Sequence, residues 1–129
     1  MTQPKRKILI VDDAGPVVVL CVNVLQSLGY AVKGASSGEA AVDILRKERF
    51  DMMVLDYKMP GLTGFEVFAQ ARALHPGLAV VLVTGHGTTE VVDEANRLGF
   101  AAILLKPFTS DELRSTVEKV LAGLGQERR

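Results

Sequence analysis

Asp12-Asp13, Asp56, Thr84-Gly85 and Lys106-Pro107 each follow directly on a short apolar run. Three carboxylates gathered at one place repel one another unless a proton or a cation intervenes. Hard carboxylate oxygens at an open, solvated edge suit Mg²⁺, which takes one or two protein carboxylates and keeps its other positions for water or a phosphate oxygen. In such a setting Asp56 is a candidate nucleophile toward a phosphoryl group, with an acyl phosphate as the product. Lys106 is a compact, mobile cation able to hold that group from the other side. The Thr84 hydroxyl can hydrogen-bond a phosphoryl oxygen, and Gly85 leaves room for its approach. Each residue also has a plainer use: Asp12-Asp13 as a helix cap, Asp56 as a turn opener, Thr84 at a loop start and Lys106 as a solvated charge. What the plainer uses leave unexplained is that all of them close apolar runs.

Those runs are the elements that must position the chemistry. Lys7 to Val11, Tyr30 to Lys33, Met52 to Leu55, Ala79 to Val83 and Ala101 to Leu105 read as strands, each followed by a segment of helical period. Such alternation predicts βαβ units and a parallel sheet with helices on both faces. Asp56 then stands at a strand's carboxyl end, the edge where open α/β sheets bind ligands. Ser36-x-x-Glu39, Thr63-x-x-Glu66 and Thr109-x-x-Glu112 fit capping boxes. Gly29 after Leu28, Gly99 after Leu98, and the region of Gly123 predict helix ends. In the last helix Leu113, Val117, Leu121 and Leu124 form a core stripe. The first helix, from Val17 through Leu28, is apolar nearly all round, which predicts a patch kept for a partner rather than extra core.

The chain is of single-domain length, and its 15 basic and 15 acidic residues balance, which argues against nucleic acid or an anionic membrane as partner. Its one cysteine, Cys21, falls inside an apolar helical run and suits a reducing cytoplasm better than a nucleophilic role. The apolar segments are too short for a signal peptide or a membrane span. Residues 1–124 are expected to form one domain, and 125–129 a polar C-terminal tail.

Taken in order, Ile8-Leu9-Ile10-Val11-Asp12-Asp13, Asp56-Tyr57-Lys58-Met59-Pro60-Gly61 with Gly64, Val83-Thr84-Gly85 and Leu105-Lys106-Pro107-Phe108 resemble the receiver domain of bacterial two-component response regulators across essentially the whole chain. The resemblance implies a flavodoxin-like, doubly wound sheet in the order 2-1-3-4-5. It implies that Asp56 accepts a phosphoryl group from a phosphohistidine of a sensor histidine kinase or a histidine phosphotransfer protein, docking near the first helix. It further implies Mg²⁺ held by Asp12, Asp13 and Asp56, phosphoryl contacts from Thr84 and Lys106, and a cis bond between Lys106 and Pro107. A homodimer through the face of the fourth helix, fifth strand and fifth helix would also fit. Lys58 and His86 occupy flanking positions expected to tune the lifetime of the phosphorylated state. Receivers usually carry Tyr or Phe where this chain has Ile103, so a smaller or different rearrangement of that face is expected. Ala14-Gly15 stand where a further acid is common, which would weaken metal binding slightly, and His75 reads as turn context. The protein is thus expected to be a signalling module that assists its own phosphoryl transfer and dephosphorylation, not a turnover enzyme. Two alternatives are a constitutive interaction domain and a magnesium phosphatase of the haloacid dehalogenase type. The second lacks its Asp-x-Asp signature, because Lys58 replaces the second acid.

Overall fold

The computed structural model describes residues 5–85 and 87–127, and the side chains of residues 125–127 are not among what is described. Strands and helices alternate strictly: β1 Lys7–Val11, α1 Gly15–Ser27, β2 Ala31–Ala35, α2 Gly38–Lys47, β3 Met52–Asp56, α3 Gly64–Leu74, β4 Ala79–Thr84, α4 Thr89–Leu98, β5 Ala102–Leu105 and α5 Ser110–Glu127. All pairings are parallel and the sheet order is β2-β1-β3-β4-β5, as the resemblance implies. Each strand sends alternate residues to opposite faces. Leu9, Val11, Met53, Leu55, Val80 and Leu82 face a layer that includes Ala41, Leu45, Val67, Phe68, Ala71 and Ala95, from α2, α3 and α4. Ile8, Ile10, Met52, Val54, Val81 and Val83 face the layer of α1 and α5, where Cys21, Leu25, Leu113, Val117 and Leu121 pack. A fully buried aliphatic side chain contributes about 2 kcal/mol, whereas exposed pairs such as Arg46–Asp43 contribute about 0–1 kcal/mol each. The two apolar layers therefore hold the sheet, and the surface pairs decorate it.

Short-range signals set some of these boundaries and are overridden at others. Thr63 and Glu66 form a complete capping box, and Thr109 and Glu112 exchange the same reciprocal bonds. The box expected from Ser36 does not form: Ser37 is the cap of α2, accepting from the Ala40 N–H at 3.1 Å. Strand β2 runs through Ala35, beyond the expected end at Lys33, and delays the helix start. Thr88, not foreseen as a cap, accepts from the Val91 N–H and starts α4. Gly29 and Gly99 adopt φ of +98° and +99°, the left-handed region that ends a helix. Gly123 does not end α5, which continues to Glu127, so residues expected in a polar tail from Gly125 extend the helix instead. Helix α1 is not buried on all sides. Cys21 and Leu25 enter the core, while Val19 and Leu20 are 59% and 51% exposed.

Candidate functional site

Three polar side chains are buried among the described residues: Asp12, Asp56 and Thr84, at 3%, 5% and 1% exposure. All lie at the carboxyl edge of the sheet. The strand order is what gathers them, because β1 and β4 flank β3 on either side. Val11 stands opposite Leu55, which places Asp12 beside Asp56, the last residue of β3. On the other flank, Thr84 closes β4 opposite Leu105, and the Lys106 N–H donates to the Thr84 carbonyl at 2.9 Å. The Lys106–Pro107 peptide is cis, as expected.

Lys106 reaches across this edge. Its Nζ lies 2.9 Å from Asp12 Oδ2 and 3.4 Å from Asp56 Oδ1. Asp12 Oδ1 accepts the Ala14 N–H at 2.9 Å, so both of its oxygens are engaged. Asp56 titrates above the ordinary carboxylate range: burial is the main cause, the neighbouring Asp12 charge adds to it, and Lys106 opposes it in part. Burial alone would lower the Lys106 pKa, but its bonds to Asp12 and Asp56 outweigh that and raise it. The ammonium is thus held charged between two carboxylates that are costly to ionise together.

Asp13, exposed, completes an acidic group with Asp12 and Asp56 in which one oxygen from each lies within 4.8 Å of the others. Clustered hard oxygens with one solvated member fit a small divalent cation that keeps water ligands, and these residues could hold a metal. Lys58 lies exposed just beyond Asp56. Ile103 is half-buried in the layer under α2, α3 and α4, opposite Leu82 and back from the edge. It also lines a cavity of about 690 Å³ with Ala79, Ala102 and the second half of α5, none of whose lining residues is Asp12, Asp56, Thr84 or Lys106. His86 lies outside the described residues.

Among the described residues a Cβ at Gly85 would meet only Lys106 Cβ, at an ordinary 3.9 Å, so the chain's own atoms leave that side of the site open. One feature is set by packing that local sequence does not show. Gly64 is required, because a Cβ would lie 2.8 Å from both the Asp56 carbonyl oxygen and Tyr57 Cα. Helix α3 starts there and abuts the backbone that carries Asp56, with the Gly64 N–H donating to the Tyr57 carbonyl at 2.8 Å. A glycine just after a capping threonine was the available signal, but only the approach of two backbones gives it meaning.

An open, doubly wound domain with buried acids and a lysine at its carboxyl edge is the architecture of a receiver. Comparison with known proteins identifies the family: residues 8–118 match the model of the response regulator receiver domain, and the chain belongs to that family. Receivers are signalling domains rather than conventional enzymes. The chain is 36% identical over 116 residues to sporulation initiation phosphotransferase F of Bacillus subtilis, covering 90% of this chain and 94% of that protein. It is 33% identical to the transcriptional regulatory protein ZraR of Escherichia coli over 95% of this chain, but spans only 28% of that relative's length. A CheY-like receiver domain protein of Methanospirillum hungatei superposes with a TM-score of 0.91 at 27% identity, covering 96% of this chain and 99% of that one. The chemotaxis response regulator CheY4 of Vibrio cholerae gives 0.85 at 30%, over 91% of this chain and 99% of that one.

Proposed function

We propose that this receiver accepts a phosphoryl group on Asp56 from the phosphohistidine of a sensor kinase or a phosphotransfer protein, and that the modified domain differs from the unmodified one in partner affinity. The observation that carries this reading is the junction of buried Asp56 with Asp12, Thr84 and Lys106 at one sheet edge. An Asp56 oxygen attacks phosphorus, the phosphorus–nitrogen bond breaks, and the imidazole leaves with the bonding electrons. Lys106, already 3.4 Å from Asp56, moves with the incoming oxygens and offsets their charge. Thr84 lies at the next strand end, where its hydroxyl can donate to a phosphoryl oxygen. Asp12, Asp13 and Asp56 would hold Mg²⁺, which when bound neutralises charge on the phosphoryl group. Hydrolysis reverses the modification: water attacks phosphorus, phosphate leaves, and the carboxylate returns. Lys58 and His86 flank this step as modulators of its rate.

Docking is assigned to α1, whose surface carries the exposed Val19 and Leu20 and no charged residue. Exposed Leu105 supports a second surface, the α4–β5–α5 face, for another copy of the chain. The likeness of nearly the whole chain to a phosphotransferase supports a relay role. Among the described residues no helix is long and apolar enough to cross a membrane, and the single reduced cysteine suits the cytoplasm as the setting.

The test is intact mass after incubation with Mg²⁺ and acetyl phosphate, beside Asp56→Asn and an EDTA control. A single phosphoryl adduct requiring both Mg²⁺ and Asp56 is expected. An adduct that persists in Asp56→Asn would overturn the assignment of the acceptor. No adduct, together with no response to beryllofluoride, would favour a constitutive interaction domain.

A further inference from the structure

Of the five phenylalanines and two tyrosines, Tyr57, Phe65, Phe68 and Phe100 form one connected chain of rings. It begins beside the acceptor. Tyr57 meets Phe65 edge-on at 4.9 Å between centroids, Phe65 meets Phe100 at 5.7 Å, and Phe100 stacks on Phe68 at 4.0 Å. The far end is also defined: the Arg72 guanidinium lies 4.8 Å over Phe68 and donates to the carbonyls of Leu78 and Gly99 at 2.9 and 3.0 Å. Gly99 is the left-handed turn that ends α4, and Phe100 is the first of the two residues between that turn and β5.

Two properties make this chain a mechanical link rather than a list of contacts. There is no slack at its start, because Gly64 packs directly on the Asp56 carbonyl and on Tyr57 Cα, and Phe65 is the next residue. A backbone shift at Asp56 must therefore move the first turn of α3. Its end is held by an exposed bond, the Arg72 N–H donating to the Gly99 carbonyl at a left-handed glycine turn, which few buried contacts protect from opening. Ile103, by contrast, is β-branched and packed in the same layer, with few rotamers to exchange.

We propose that occupancy of Asp56 is transmitted to the α4–β5 junction through Tyr57, Phe65 and Phe100, so that the responding surface is the turn around Gly99 and Arg72. This rests on the phosphoacceptor reading above.

The experiment follows backbone amide resonances of the full chain on addition of Mg²⁺ and beryllofluoride, in the wild type, in Phe65→Leu, and in Phe50→Leu, a core aromatic outside the ring chain. The wild type is expected to shift at residues 56–58, 84, 85 and 106 and also at 99–101. In Phe65→Leu the first set persists while the shifts at 99–101 fall by about threefold or more. Phe50→Leu keeps both sets. Phe65→Met, flexible and of similar volume, replaces the leucine variant if that one is unfolded by its spectrum. Shifts at 99–101 that survive the loss of the Phe65 ring, or that vanish equally in Phe50→Leu, would overturn the ring route. A wild type with no response even at 56–58 would instead remove the phosphoacceptor reading, and this proposal with it.

Discussion

Asp56 is a carboxylate whose burial and whose neighbour Asp12 both oppose ionisation, with Lys106 repaying only part of the cost. An acid whose folded pKa is raised contributes stability that is full below its unfolded value and is lost as pH rises through the folded one. At neutral pH in EDTA, Asp56→Asn should therefore raise Tm. The gap should narrow as pH falls through the raised pKa, because protonation then neutralises the wild-type carboxyl as the amide does. Thermal melts from acid to neutral pH would check this, and a variant less stable than the wild type at pH 7 would contradict the electrostatic account. Cys21, pushed up to about 11 chiefly by burial and then by Asp12, is 1% exposed. Thiolate chemistry there should be very slow: at pH 8 only about one thiol in a thousand is ionised. Iodoacetamide followed by mass should leave the native chain unmodified while labelling it fully in denaturant.

Helix starts are set by short-range bonds, and the two adjacent serines before α2 separate a correct cap from an apparent one. Ser37 bonds the Ala40 N–H, and Ser36 lies in the turn before it. Ser37→Ala should cost about 1 kcal/mol, and Ser36→Ala only a few tenths; denaturant melts of the pair read the difference. The start of α3 bears on function more directly. A Cβ at Gly64 collides with main chain rather than with the end of a flexible side chain. Gly64→Ala should destabilise by about 1–3 kcal/mol and, because α3 must back away from Asp56, slow formation of the phosphoryl adduct. A variant that melts lower but is modified at the wild-type rate would show that α3 and the acceptor move independently.

Across the whole domain, repulsion among Asp12, Asp13 and Asp56 is held in check by two apolar helix layers and by Lys106. A cation binding the folded acids, but not the unfolded chain, should stabilise the protein by about 2.7 kcal/mol at a hundred times its Kd. Mg²⁺ should therefore raise Tm in a concentration-dependent way, chelation should reverse the gain, and Asp13→Asn should weaken it. An unchanged Tm over millimolar Mg²⁺ would argue that Lys106 alone satisfies the site.

Strand existence, helix alternation and the identities of Asp12, Asp56, Thr84 and Lys106 could be read from the chain because they depend on local pattern: apolar runs of strand length, each ending on a polar residue. Boundaries were legible only where one cap dominated, as at Thr63, and were misread at Ser36 and Gly123, where continuing β2 and α5 override local preference. What no local pattern contains is distance. The sheet order places β1 and β4 on either side of β3. From that placement follows the Lys106 bridge to two carboxylates, while the backbone contact that makes Gly64 obligatory and the ring chain from Tyr57 to Phe100 come from how α3 and α4 pack on the sheet. The Lys106 bridge and the Phe65–Phe100 contact join residues far apart in sequence, and only the sheet order and the packing of helices onto one of its faces bring them within a few ångströms of one another.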